Sequence, residues 1–349
     1  MSPFYKSIYK KIKQYISCGS NNRPVVYINL YDTPNDTNVL QPNVNLESAI
    51  LKNQSLNVLP FNIFSKQYIL EHIDISNNDI QTLAKNIFSG LNTLKSLNMS
   101  NNRVHFKLPR EIFDKLYSLV TLNLSFNFFD SAIDLTYFKD LVSLNNLNLS
   151  HITSPIVYKV VSLNCKMGLR NLKQIENLYF DNINSFDKTL ERESLFKYSE
   201  NDRWNFDTFT NLKFLSFRNN KIRNLGPYCF QKLSNLVHLD LSLNMIETIH
   251  DNAFSGLDKL TRIDVSKISI KCLPENIFLN CNSIFEIDLS NNHVSSVFVS
   301  PNFVEQEEYR YLTKKLKDSF VKSTIKKKIS SKKNKTYKRS KANYISHLM

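Results

Sequence analysis

Seven histidines and five cysteines carry the most reactive side chains of this sequence, and neither set is spaced for catalysis or metal binding. His72, His105, His151, His238, His250 and His293 occur singly in or beside repeated segments. No HExxH or HxxxH pair sets two imidazoles on one helical face. Cys18, Cys165, Cys229, Cys272 and Cys281 are odd in number and scattered, giving neither a zinc nor a disulfide framework. Cys281 stands where other segments carry Leu and so reads as a small buried apolar residue. A pairing with Cys272, nine residues away, stays open. There is no GxSxG elbow, no GxGxxG and no Walker sequence. Gly is used only five times in 349 residues, which leaves little material for a phosphate-cradling loop. The chain is therefore expected to be no enzyme and to need no metal or cofactor.

Carboxylates recur more regularly, at Asp74, Asp240, Asp264 and Asp288. One reading is a cluster for acid/base work or calcium. The stronger one is that each is the exposed middle residue of an LDLS-like strand, repeated once per unit and facing the same side as the others.

What positions these residues is a repeat. The pattern LxxLxLxxNxL recurs, each copy followed by LPxxxFxxL, with first Leu-type positions at Leu46, Leu70, Leu94, Leu119, Leu144, Ile175, Leu212, Leu236, Leu260 and Ile284. Successive spacings are 24, 24, 25, 25, 31, 37, 24, 24 and 24. One such unit makes a short strand, turns, runs back along the opposite side and returns one strand lower. A lone unit cannot bury its apolar positions, whereas stacking makes continuous ladders of them. In the unit starting at Leu236, these are Leu239, Leu241, Ile246, Ile249, Phe254 and Leu257.

The ninth position holds Asn78, Asn102, Asn127, Asn220, Asn244 and Asn292, in one register with the leucines. An amide there can satisfy backbone groups of adjacent turns where the chain bends out of the sheet. Replacing one by Leu is expected to leave unpaired groups at about 1–3 kcal/mol.

Segments such as LEHIDISNNDIQTLAKNIFSGL and LVHLDLSLNMIETIHDNAFSGL resemble the leucine-rich repeats of extracellular proteins, in their 24-residue variety, and Toll-like receptor ectodomains in particular. The resemblance covers residues 46–303. It implies an α/β solenoid of about ten repeats, with a curved parallel sheet on the concave face and loops and short helices on the convex side. It also implies binding of a protein or microbial ligand, in innate immune recognition or cell adhesion, by a glycoprotein at the cell surface that forms homo- or heterodimers.

Departures from the pattern are local. Between His151 and Thr210 the period lengthens, Ile152 and Ile183 replace the ladder Asn, and an insertion brings in Trp204, the only tryptophan. This is either a surface excursion with a local apolar plug or, as in some Toll-like receptors, a place where a ligand enters. Ile268 breaks the ladder once more.

Four parts are expected: residues 1–45, a basic segment with a capping strand in PVVYINLY; 46–303, the repeats, irregular at 151–210; 304–320, a capping helix; and 321–349, a basic, disordered tail. Residues 310–349 hold fourteen Lys or Arg against Asp318 alone, a net +13 of the chain's +14. Attraction to nucleic acid or an anionic membrane is thus a property of the tail. The start lacks the apolar run of about 7–15 residues that a secretory signal needs. No apolar stretch approaches the roughly 18 residues of a membrane span. The cysteine-rich caps, membrane helix and signalling domain of complete Toll-like receptors have no counterpart in this sequence. An intracellular scaffold, cytoplasmic or nuclear, with a basic tail on nucleic acid or membrane is the alternative.

Strand alternation puts the third, fifth and seventh positions on the concave side. The third varies most: His72, Ser96, Thr121, Asn146, Asn177, Phe214, His238, Arg262 and Glu286. The richest expected patch comprises Asn177, Tyr179, Asp181, Phe214, Ser216, Arg218, His238, Asp240, Arg262, Asp264 and Glu286, with aromatic and Arg anchors of the kind that interfaces favour. Sequons for N-glycosylation lie at Asn35, Asn53, Asn98, Asn123, Asn148 and Asn334. Asn98, Asn123 and Asn148 share the fifth column of adjacent units, where glycans would move binding to the later units.

Overall fold

The computed structural model describes residues 13–18, 24–29, 46–102, 105–106, 108–129, 133–153, 161–162, 172–183, 209–270, 272–274, 277–278, 281–284, 286–292 and 296–297. The insertion with Trp204, the helix expected over 304–320, the basic run 321–349 and the sequons at Asn35 and Asn334 lie outside these residues.

Ten three-residue strands begin two residues after the ten Leu-type positions. They are Ser48–Ile50, His72–Asp74, Ser96–Asn98, Thr121–Asn123, Asn146–Asn148, Asn177–Tyr179, Phe214–Ser216, His238–Asp240, Arg262–Asp264 and Glu286–Asp288. They pair in parallel and in chain order, equivalent residues opposite each other, so that Leu215 faces Leu239 and Leu239 faces Ile263. A one-residue slip would turn every buried Leu outward, and the repeat excludes it.

Two further strands make the sheet twelve-stranded, two more than the repeat count. Pro24–Asn29 pairs in parallel with Ser48–Ile50, and Lys13–Cys18 pairs antiparallel with Pro24–Asn29. The stretch PVVYIN thus extends the sheet beyond the first repeat.

Leucines at the first, fourth and sixth positions, such as Leu236, Leu239 and Leu241, are fully buried, each contributing roughly 1.5–3 kcal/mol. Opposite them runs a stack of phenylalanines. Phe64 lies 6.0 Å from Phe88, Phe113 6.1 Å from Phe138, Phe230 6.2 Å from Phe254 and Phe254 5.5 Å from Phe278, all with stacked rings.

The convex side departs from the expectation of short helices. Among the described residues it holds one 3-10 turn, Leu135–Phe138, and otherwise single turns such as Ile87 N–H to Ala84 O at 3.1 Å and Leu91 N–H to Phe88 O at 3.3 Å. A return path this short cannot repay helix nucleation. Its backbone groups find partners in the neighbouring turn instead, as where Asn224–Leu225 pairs with Thr248–Ile249.

All six ladder asparagines are buried. Asn244 accepts the backbone N–H groups of Asn220 and Ile222 at 2.9 and 3.0 Å, and donates to Phe217 O and Leu241 O at 2.9 and 2.7 Å. Asn78 and Asn127 donate likewise to their own and the preceding turn. At Ile152 the backbone closes the gap, Thr153 donating to Asn127 O at 3.1 Å and receiving the Phe129 N–H at 2.9 Å.

Candidate binding face

The third and fifth positions face the concave side, half-exposed or exposed in every unit except for Ser48 and Ser216, which are buried. The seventh follows only in part. Ser76, Ser125, Ser150, Ser242 and Ser266 are buried there, whereas Lys52, Ser100, Asp181, Arg218 and Ser290 are exposed or half-exposed. The chain turns out of the sheet at this point, and the Asp or Asn two residues earlier binds the Ser: Asp74 Oδ1 accepts the N–H of Ser76 at 3.0 Å and its hydroxyl at 2.6 Å. Lys52, Asp181 and Arg218 put larger side chains in that column. Ser216, expected to meet ligand, is 2% exposed, and its hydroxyl donates to Asp181.

The other residues of the expected patch come together. Tyr179, Phe214 and His238 sit on three adjacent strands and form one aromatic row, ring centroids 4.9 Å apart for Tyr179–Phe214 and 4.7 Å for Phe214–His238. Asn177 sits opposite Phe214 across the strand pair and donates to Asn146 Oδ1 at 2.5 Å. Arg218 reaches Ser242 Oγ at 2.8 Å, and its N–H meets Asp181 at 3.2 Å. Arg262 pairs with Glu286 at 3.4 Å, both about half exposed, so the pair adds little stability. Asp240 and Asp264 continue the fifth column in register.

Electrostatics follow burial. Burial first, then the Asp181 charge, raises the Tyr179 phenol above its ordinary value. Burial likewise raises Asp181, opposed by the Ser216 hydroxyl. His238 is held below its ordinary value by burial in the row and by the Arg262 charge. It is therefore a neutral, apolar-edged ring at neutral pH.

Two features escape the strand alternation. The eighth position has positive φ in every unit, from Asn53, Asn77 and Asn101 through Phe126, His151, Asn182 and Asn219 to Leu243, Lys267 and Asn291. Asn tolerates this left-handed conformation best, so its recurrence there is a signal legible in the sequence. Within that column Phe126 stacks on His151 at 4.1 Å, and Asn182 bonds the His151 ring at 2.8 Å. Separately, Glu47, Glu71 and His72 bring one potential metal-ligating atom each within 4.8 Å of one another, at the surface. Glu71 already holds Lys95 at 2.8 Å.

The remaining reactive groups lie off the face. Burial pushes the thiols of Cys229 and Cys281 up to about 12, and both are free, so the pairing of Cys281 with Cys272 is not made. His250 is an exposed turn residue that caps the Asn252 N–H. His105 and His293 have no described side chains. The sequons at Asn98, Asn123 and Asn148 stand side by side on the concave face of the first half, and Asn53 lies in an exposed turn.

The family model of the leucine-rich repeat matches residues 44–104, 210–267 and 244–294. The chain has the leucine-rich-repeat fold. No match was found among curated proteins. Similar solved structures include TLR13 in complex with ssRNA13, with a TM-score of 0.58 and 22% identity over 77% of this chain and 40% of that one. Toll of Drosophila, in complex with Spatzle, gives a TM-score of 0.56 and 19% identity over 76% of this chain and 36% of that one. The leucine-rich-repeat chain thus has the fold of Toll-like receptor ectodomains and spans about two fifths of their length or less. Among its described residues, no helix is long and apolar enough to cross a membrane.

Proposed function

We propose that this leucine-rich-repeat chain is a receptor-like recognition module that binds a polypeptide on its concave face. The observation that carries this reading is the row Tyr179–Phe214–His238, three contacting rings across adjacent strands of an otherwise polar sheet. Half-exposed aromatic side chains on a rigid sheet give large contact area at low entropic cost. Asn177, Arg218, Arg262 and Glu286 supply the polar rim. Of the two similar receptors, one is seen with a protein and the other with an RNA. A polypeptide suits this face better, because Asp181, Asp240, Asp264 and Asp288 flank the row and repel phosphate.

Roles in innate immune recognition or cell adhesion, dimer formation and a place outside the cell belong to the same proposal and rest on the likeness in fold. The free thiols of Cys229 and Cys281 favour a second reading, a cytoplasmic or nuclear scaffold. Glycan mapping of the native protein separates the two: sugar on Asn98, Asn123 or Asn148 supports the first, and uniformly bare sequons the second.

The binding test is selection of displayed peptides on the whole chain, followed by affinity measurement against Phe214→Ala and Tyr179→Ala variants with unchanged circular dichroism. A loss of about tenfold or more is expected in each. Peptides that bind both variants as tightly as the parent overturn the proposal.

A further inference from the structure

The last three repeats carry an acidic column whose carboxylates form no salt bridge with a described residue. Asp240, Asp264 and Asp288 stand opposite one another on in-register parallel strands, about 4.8 Å apart from strand to strand. One oxygen of each is held by a backbone N–H, from Ser242 at 2.9 Å, Ser266 at 2.9 Å and Ser290 at 2.8 Å. The carboxylates are thus fixed in place, and among the described residues none of the three forms a salt bridge. The neighbouring cations are engaged elsewhere: Lys213 on Glu176 at 2.7 Å, Arg262 on Glu286 at 3.4 Å and Arg218 on the Ser242 hydroxyl at 2.8 Å.

The complementary charge lies in the same chain. Residues 310–349 hold a net +13, while the other 309 residues sum to only +1. After Asp288, on the last strand of the sheet, the chain is next placed at Ser296–Val297, paired with Cys272–Leu273 on the outer side, and residue 310 follows Val297 by 13 positions. Thirteen residues reach up to about 43 Å, several times the roughly 10 Å width of a three-strand column. A tether this short holds the basic segment at an effective concentration on the order of millimolar beside the column.

We propose that the basic segment 310–349 docks on the acidic column Asp240–Asp264–Asp288 of its own chain, held by lysine–carboxylate pairs. Asp240 lies two residues from His238, so the docked segment borders the aromatic row, and a ligand of that row has to displace it or bind alongside it. This inference does not rest on the proposed ligand class: the column would hold the segment whatever the row binds.

The test uses the full chain and a carbodiimide, which joins lysine to carboxylate only where the two touch. Amide links from lysines of 326–341 to Asp240, Asp264 or Asp288 are expected, in excess of links to Glu247, Asp251 and Asp258 on the outer side. An equal mixture of isotopically heavy and light chains should give links within one chain only. The variant Asp240→Asn/Asp264→Asn/Asp288→Asn keeps the oxygen that each Ser N–H needs, so its thermal midpoint should be unchanged. Trypsin should cleave its basic segment roughly fivefold faster than the parent's at low salt, because cleavage follows the undocked population. Raising the salt should speed cleavage of the parent to the same rate. Equal cleavage rates in parent and variant, links mainly to the outer acids, or links between heavy and light chains each overturn the proposal.

Discussion

Asn244 accepts, through its side-chain oxygen, the backbone N–H of Asn220 at 2.9 Å, so that one rung of the ladder holds the rung before it. The same relation joins Asn127 to Asn102 at 3.1 Å. The turn where the chain leaves the sheet is therefore a shared structure, in which each unit completes the hydrogen bonding of its predecessor.

This makes the rungs unequal. Asn292 donates to Val265 O and Leu289 O, but its own buried oxygen accepts no hydrogen bond, in contrast to Asn220, which receives the Ile183 N–H at 2.9 Å. Asn244→Leu should destabilise by about 2 kcal/mol or more and Asn292→Leu by clearly less, since fewer backbone groups lose a partner. Urea midpoints of the two variants measure this, and equal shifts would contradict it.

A second contrast lies at the outer turns. Gly256 has φ +88°, and a Cβ there would sit 2.4 Å from Gln231 O, whereas Gly90, at φ +83°, has nothing within 4 Å. Both changes to Ala strain the backbone by about 1 kcal/mol. Only Gly256→Ala should also push one repeat away from the next, lowering the thermal midpoint well below that of Gly90→Ala. Similar midpoints for the two variants would show that the repeats slide freely there.

How much of this was legible in the sequence differs by face. Leucine spacing gave the ten strand starts and the buried set, because each apolar position has only one way in, and a slip exposes all of them at once. It also brought Tyr179, Phe214 and His238 into one patch, since equivalent positions of neighbouring units must align. Alternation failed at Ser216, a strand residue whose hydroxyl donates to Asp181 of the preceding unit, and at Ser242, where the chain has left the strand and the N–H donates to Asp240. It failed as well for the outer side, where the choice between a helical turn and paired single turns depends on the next unit, not on the local sequence. The left-handed column at Phe126, His151, Leu243 and Lys267 was present as recurring Asn in the other six units, a signal of backbone shape, not of burial.

The aromatic row makes a titration visible. His238 is held below its ordinary value of 6.5, chiefly by burial and next by Arg262. The unfolded chain therefore takes up the proton first as pH falls below 6.5, so this residue subtracts stability at acid pH and is neutral in effect above it. Its imidazole resonances should titrate with a midpoint below 6.5, and Arg262→Gln should move that midpoint upward. A midpoint above 6.5 in the parent chain would contradict the burial.

Asp181 behaves in the opposite sense. Its carboxyl is raised by burial, so stability present below its unfolded value is lost as pH rises through the folded one. Asp181→Asn keeps an acceptor for the Ser216 hydroxyl and should raise the urea midpoint at pH 7, with the gain disappearing near pH 3. A variant less stable than the parent at pH 7 would mean that the charge is needed, through Arg218.

The most direct test of the account is hydrogen exchange on the whole chain with and without a selected peptide bound. Protection should rise at residues 177–181, 213–218 and 237–241, where the aromatic row crosses the sheet, and stay unchanged at the outer turns 226–233 and 250–258. Protection confined to those outer turns would contradict recognition through the concave face.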